Sequence, residues 1–340
     1  MKAILFTLLA SCTTDITVFD RIDDVETARD LDILYVLDNS SDRARYDTMA
    51  SQLDVLSTQL ALVDGQVPNL HVGVVTSDMG IKGTEDAAPG ATIRNCSGTG
   101  DNGKLQRFDA ALDDAFLIDV RGENGTRIRN FDAEDDADLA AELALLTNPI
   151  GIKTGCEFAQ PMEAMRRALD PANNPGFLRE RAQLMVVFLT NEDDCSFKTS
   201  ALFDPTNVTL GAESFRCTQQ GVFCTDGEPS SPGVHDTCLP REDSAFVVPV
   251  GEYRTFLEGV KDDKRDVIVS AVAGPVAPFT TLSLGKPVLA PSCNGIDGSA
   301  KPAVRIASLV GSFGGALVES CTQDAAYDAL TAPVLARQKS

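Results

Sequence analysis

Tryptophan is missing from this chain, and aromatic residues fill only 6% of its 340 positions. With 43% of residues hydrophobic, a sizeable core is available, and it must be built mainly from aliphatic side chains. Histidine is almost as scarce, with only His71 and His235. Two imidazoles leave little for acid–base catalysis or for a histidine-rich zinc set, and no Cys-x-x-Cys pair compensates. A membrane-spanning helix needs about 20 consecutive apolar residues, and the chain has no such run. Basic residues are the minority, 29 against 50 acidic, for a net charge of −21. Binding to a phosphate backbone needs clustered Lys and Arg, so the composition argues against nucleic acid as a partner.

The N-terminus indicates export. Met1 and Lys2 make a minimal positive start, and residues 3–9 are a short apolar stretch. Leu9, Ala10, Ser11 and Cys12 follow, and this run resembles a bacterial lipobox, in which cleavage precedes a cysteine that receives lipid. Residues 1–12 are therefore expected to be a lipoprotein signal with Cys12 as the lipidated residue. Residues 13–29 are polar and acidic and read as a tether. Thr13 does not resemble the aspartate of the inner-membrane retention signal, so the expected location is the outer membrane or cell surface of a bacterium.

The cysteines agree with an oxidising compartment. Nine are present, and setting Cys12 aside leaves Cys96, Cys156, Cys195, Cys217, Cys224, Cys238, Cys293 and Cys321. An even set of eight fits four disulfides, although about 105 pairings are formally possible. Cys293 with Cys321 is the pairing expected here, because the two flank one helix–strand unit.

Length alone is compatible with two domains or with one enlarged α/β domain. Residues 32–37, 70–76, 183–189, 266–273 and 316–320 are apolar runs of strand length. Tyr46, Met49, Leu53, Leu56 and Leu60 follow the 3–4 spacing of one helix face. Further helices are expected over 135–146, 158–169, 253–260, 302–313 and 325–335, with Pro161 tolerable in a first turn and Pro333 fraying the last helix. Alternating strands and helices predict a three-layer, doubly wound, mostly parallel sheet. Two long stretches interrupt it, about 80–130 and 196–250. The domain itself is expected to run from 30 to 340.

The end of the first strand carries the chemistry. Asp38 and Ser40 place a carboxylate and a hydroxyl two residues apart where open α/β sheets bind ligands. The bland alternative is a capped turn before a helix. This segment resembles the first metal-binding loop of von Willebrand factor type A domains, Asp-x-Ser-x-Ser, with Asp42 in place of the second serine. That resemblance implies two more loops. Thr154 matches the second in kind, and it serves equally well as a helix cap. Thr190 and Asn191 stand where the family has Thr-Asp, with Asn191 supplying an amide oxygen in place of a carboxylate. Asp193 or Asp194 could add charge directly or through water. The metal set expected from the resemblance is Asp38, Ser40, Asp42, Thr154, Asn191 and Asp193. An all-oxygen set suits Mg²⁺, and next Mn²⁺ or Ca²⁺.

Other motifs lead nowhere. Gly98 to Leu105 nearly spells a phosphate loop but ends on Leu105 where Ser or Thr is needed. His71 is expected inside a strand, and His235 exposed in a loop. No nucleophile–base pair is recognisable, so no enzyme activity is expected. The resemblance implies a lipid-anchored protein that binds a divalent cation at a degenerate metal-ion-dependent adhesion site and contacts a protein partner at the cell envelope. The alternative is a disulfide-stapled scaffold of the same fold with no functional metal site.

Overall fold

Four seven-residue strands, buried along their whole length, form the middle of the protein. They are β1 (Leu31–Leu37), β2 (Leu70–Thr76), β5 (Gln183–Leu189) and β9 (Val267–Ala273). Unbroken apolar runs of this kind suit strands covered on both faces. The structure is a computed structural model that describes residues 30–40, 68–81, 95–96, 98–106, 115–122, 124–131, 154–204, 206–295, 298–322 and 327–338. The signal segment with Cys12, the tether, Asp42 and the helices expected over 46–60 and 135–146 lie outside the described residues.

The main sheet has seven strands in the order β14-β9-β5-β1-β2-β3-β4, where β3 is Leu117–Arg121, β4 is Arg127–Arg129 and β14 is Leu317–Glu319. The first five positions are mutually parallel, and β3 and β4 add an antiparallel edge. The stretch expected as an excursion over 80–130 therefore returns to the sheet. Its strand β3 alternates buried and half-buried residues, as a strand at a half-covered edge does. That two-residue period is weak over five positions.

Helices cover both faces. On one, α1 (Pro161–Ala168), α3 (Val250–Glu258) and α4 (Val304–Ser312) pack on Leu34, Val36, Val75, Val186 and Phe188. On the other, α5 (Tyr327–Gln338) sets Leu330 and Val334 on Ile33, Tyr35 and Val187. Pro333 does not end α5, which continues to Gln338. Burial of Val334, with Arg337 Nη1 donating to the Val267 carbonyl (2.9 Å) and Nη2 to Phe313 (3.1 Å), outweighs the hydrogen bond lost to proline.

The 196–250 stretch holds α2 (Arg216–Gly221), β6 (Val222–Cys224), β7 (Gly233–His235) and β8 (Cys238–Pro240). It is not self-contained. Strand β7 pairs with β10 (Phe279–Ser283), which pairs with β11 (Pro287–Leu289), and β12 (Cys293–Gly295) pairs with β13 (Gly298–Ala300). These strands of three to five residues carry no periodic signal, so nothing in the sequence of 274–300 marks them. All eight candidate cysteines pair, as Cys96–Cys156, Cys195–Cys217, Cys224–Cys238 and Cys293–Cys321. The last is the pair expected from sequence.

Candidate functional site

Register puts three polar residues side by side at the carboxyl rim of the sheet. Leu37 of β1 pairs with Thr76 of β2 and with Leu189 of β5. One step further on are Asp38, Ser77 and Thr190, and all three are buried. Side chains alternate along a strand. Asp38, Ser77 and Thr190 therefore follow Val36, Val75 and Phe188 onto the face covered by α1, α3 and α4. Backbone bonds hold the row, from Asp38 N–H to the Leu189 carbonyl (2.9 Å) and from Ser77 N–H to the Leu37 carbonyl (2.7 Å).

The Asp38 carboxylate is held from both sides. Its Oδ1 accepts from the Ser40 hydroxyl (2.6 Å) and the Ser40 N–H (3.0 Å), and its Oδ2 accepts from the Thr190 hydroxyl (2.9 Å). The Glu192 N–H donates in turn to Thr190 Oγ1 (3.0 Å). The Ser40 hydroxyl donates to the carboxylate, and the Thr190 hydroxyl lies within reach of both Asp38 Oδ2 and the Glu192 carbonyl (3.0 Å). Thr190 thus joins the site more directly than Asn191. Asn191 turns to the 299–301 segment, with its Nδ2 donating to Ser299 O (3.4 Å) and its carbonyl accepting from Lys301 N–H (2.8 Å).

The second expected loop arrives beside the first. Gly155 N–H donates to the Asn39 carbonyl (3.2 Å), and Thr154, the residue before it, is exposed. A Cβ on Gly155 would come within 1.9 Å of Asn39 Oδ1, so glycine lets the loop approach with the Asn39 side chain as it stands. Cys96–Cys156 staples the same loop to the chain after β2.

The acidic turn after β5 has a different task. Helices α1 and α4 carry no side-chain cap of their own. Asp194 Oδ1 accepts from the Met162 N–H (3.0 Å), and Ser196 Oγ accepts from the Glu163 N–H (3.0 Å), which caps α1. Asp193 accepts from the N–H groups of Arg305 (3.0 Å) and Ile306 (3.2 Å), which caps α4. Such acceptors satisfy the donors a helix start leaves over. Buried Arg305 closes the arrangement, with Nη2 donating to Asp194 Oδ2 (3.0 Å) and to the Val248 carbonyl (2.7 Å). Burial pushes the Asp193 carboxyl up to about 6, against the pull of Arg305 and the backbone donors. Asp193 is thus placed at a helix start, with its oxygens turned to α4.

Three side-chain oxygens just beyond strand ends are buried without a hydrogen-bond partner: Asn39 Oδ1, Ser77 Oγ and Asn191 Oδ1. Buried polar atoms are nearly always satisfied, and exceptions point to water or an ion. Of these, Asn39 and Ser77 join Asp38, Ser40 and Thr190 in a rim rich in hard oxygen donors, which fits Mg²⁺, Mn²⁺ or Ca²⁺, whereas Asn191 stays with the 299–301 segment. Asp38 supplies a buried carboxylate to this rim.

Two other clusters are structural. Cys224, Asp226 and His235 bring ligand atoms within 4.8 Å of one another. Cys224 is bonded to Cys238, which removes its thiolate. His235 is buried, contrary to the sequence expectation, because its Nδ1 meets Asp226 Oδ1 (3.1 Å) and its Nε2 meets the Ser231 carbonyl (3.0 Å). At the opposite end of the sheet, buried Asp32 accepts from Arg179 Nε (2.8 Å) and lies 3.5 Å from Lys261 Nζ. Burial pulls Lys261 below its usual range and does the same to His71, whose Nδ1 meets the Phe177 carbonyl at 2.9 Å. The loop that resembles a phosphate loop is anchored by buried Leu105, and Lys104 Nζ donates to the Asn173 carbonyl (2.6 Å).

Comparison of the sequence with known protein families and with curated proteins finds no match. Among solved structures, similarity is found to the conserved hypothetical protein BatB from Bacteroides thetaiotaomicron, at 11% identity and TM-score 0.36 over 92% of this chain and 100% of that one. A von Willebrand factor type A protein from Catenulispora acidiphila follows at 10% identity and TM-score 0.32, over 92% of this chain and 42% of that one. The pilus adhesin SpaC from Lactobacillus rhamnosus GG stands at 9% identity and TM-score 0.35, over 92% and 30%. The chain spans less than half the length of the latter two.

Proposed function

We propose that this is an exported, lipid-anchored protein of the von Willebrand factor type A kind. It binds a divalent cation at the Asp38 rim and uses that rim to hold a protein partner at the cell envelope. The observation that carries the reading is the Asp38 carboxylate, pinned by the Ser40 and Thr190 hydroxyls at the carboxyl edge of a parallel sheet. Asp38, Ser40, Thr190 and, from the neighbouring loop, Thr154 would hold the ion. A bound cation supplies an electrophilic point for a carboxylate or carbonyl of the partner. The role is binding, with no bond chemistry. Both histidines are engaged in structural contacts, which supports that reading. Four disulfides agree with an oxidising compartment, and Cys12 would carry the lipid.

Calorimetric titration of the purified protein with Mg²⁺ and Mn²⁺ tests the cation. Heat of binding and a higher melting temperature are expected, and Asp38→Ala should abolish both. No response from the wild type would leave only the fold. Export and anchoring are tested by metabolic labelling with a fatty acid in a bacterial host, where Cys12→Ser should lose the label.

One observation favours the second reading, a disulfide-stapled scaffold without an ion. Asp193 and Asp194 are committed to helix caps and Asn191 to the 299–301 segment, so charge at the rim is low. Partner capture that is unchanged by a chelator would select it.

A further inference from the structure

Ser77 is the one member of the rim row with no chemical employment. Asp38 and Thr190 bond to each other, whereas the Ser77 hydroxyl, fully buried, bonds to nothing among the described residues. Its backbone is fully used, with the N–H on the Leu37 carbonyl (2.7 Å) and the carbonyl accepting from the Gln160 N–H (3.0 Å). The residue therefore cannot turn toward solvent. Strand alternation places its side chain on the same face as the Asp38 carboxylate, one strand over, at a spacing of about 4.8 Å. Thr76 and Asp78, its neighbours, face the other way. Thr76 Oγ1 donates to Asp101 Oδ2 (2.5 Å), and Asp78 Oδ1 accepts from the Gly80 N–H (2.9 Å). Apolar packing needs no hydroxyl here, and alanine would fill the slot without leaving a donor unmet.

We propose that Ser77 is a further oxygen ligand of the rim cation, so that the donors span β2, β1 and β5 in place of β1 and β5 alone. The proposal rests on the cation reading above. It adds a neutral hard donor opposite Thr190 and sets the ion deeper, against the strand ends, than the two loops alone would. A hydroxyl on each side of a single carboxylate suits an ion that keeps part of its water shell, as Mg²⁺ and Mn²⁺ do.

The experiment compares full-length wild type, Ser77→Ala and Asp38→Ala by Mn²⁺ calorimetry and by melting with Mn²⁺ or with a chelator. Ser77→Ala should weaken Mn²⁺ roughly tenfold, the size of effect expected when a supporting group of a metal site is lost. In chelator it should melt at or above the wild-type temperature, because a buried unpaired hydroxyl has been removed. Unchanged Mn²⁺ affinity in Ser77→Ala, with binding lost in Asp38→Ala, overturns the Ser77 assignment and leaves the cation site standing. A wild type that binds no Mn²⁺ overturns both. Equal destabilisation with and without Mn²⁺ marks Ser77 as purely structural and overturns the assignment. The anomalous signal of Mn²⁺ in wild-type crystals gives a check that needs no variant. An ion within about 2.6 Å of Ser77 Oγ supports ligation, and one beyond hydrogen-bond reach refutes it.

Discussion

Adjacent residues of one turn can do unrelated work, and the run from Thr190 to Ser196 shows it. Thr190 serves the rim, Asp193 caps α4, Asp194 and Ser196 cap α1, and Cys195 ties the turn to Cys217. Asp194→Ala would uncap α1 and leave the Arg305 guanidinium buried without its carboxylate. Loss of about 3–5 kcal/mol of stability is expected, measurable by denaturant unfolding. Asp193 gives a pH signature. Its folded-state pKa of about 6 lies above the ordinary 3.8, so the folded protein holds this proton more firmly than the unfolded chain. Its contribution is fully present below about pH 4 and is lost as pH rises through 6. The melting-temperature difference between wild type and Asp193→Asn should therefore move against the wild type across that window and level off above it. A flat difference would mean that Asp193 titrates normally. The sequence places Thr190 in an expected metal loop and Cys195 among the paired cysteines, but the capping roles of Asp193, Asp194 and Ser196 are not legible there, because the helix starts they serve lie far away in the chain.

At the scale of elements, strands and helices took their bounds from different sources. The long strands could be read from composition, since β2 and β5 have the limits the apolar runs predicted. Helix starts shifted, with α1 beginning at Pro161 and α4 at Val304, because each is capped by a residue far away in the chain. A sequence scan for local caps finds nothing at Gln160 or Ala303. The loop at Gly155 is the element whose position the site needs most. Gly155→Ala would put a methyl against the Asn39 side-chain amide, so that this amide must leave its place beside the rim or the second loop must move back. Its expected outcome is a weaker cation-induced rise in melting temperature, with smaller change in the ion-free protein.

At the scale of the whole molecule, disulfides hold what the sheet alone does not. Cys96–Cys156 spans 60 residues and Cys224–Cys238 spans 14. Chain-entropy arguments put their stabilisation at about 4 and about 3 kcal/mol. Their functional weight should differ more than that. Replacing both Cys96 and Cys156 by alanine frees the segment beside Gly155 and should lower cation affinity along with stability. Replacing Cys224 and Cys238 loosens a hairpin remote from the Asp38 row in the chain and should cost stability alone. Parallel calorimetry and unfolding of the two double variants would separate these outcomes.

By itself the sequence determined the class of fold, the core strands, the cysteine inventory and the position of Asp38 at a strand end. These follow from hydrophobic period and local chemistry, which act over a few residues. Tertiary structure alone decided that Thr190 and Ser77 stand beside Asp38, that Asp193 and Asp194 belong to helix starts, and that His235 is buried. Those are facts of strand register and of contacts between residues distant in the chain. No local pattern carries them, because the partners meet only when the sheet has formed.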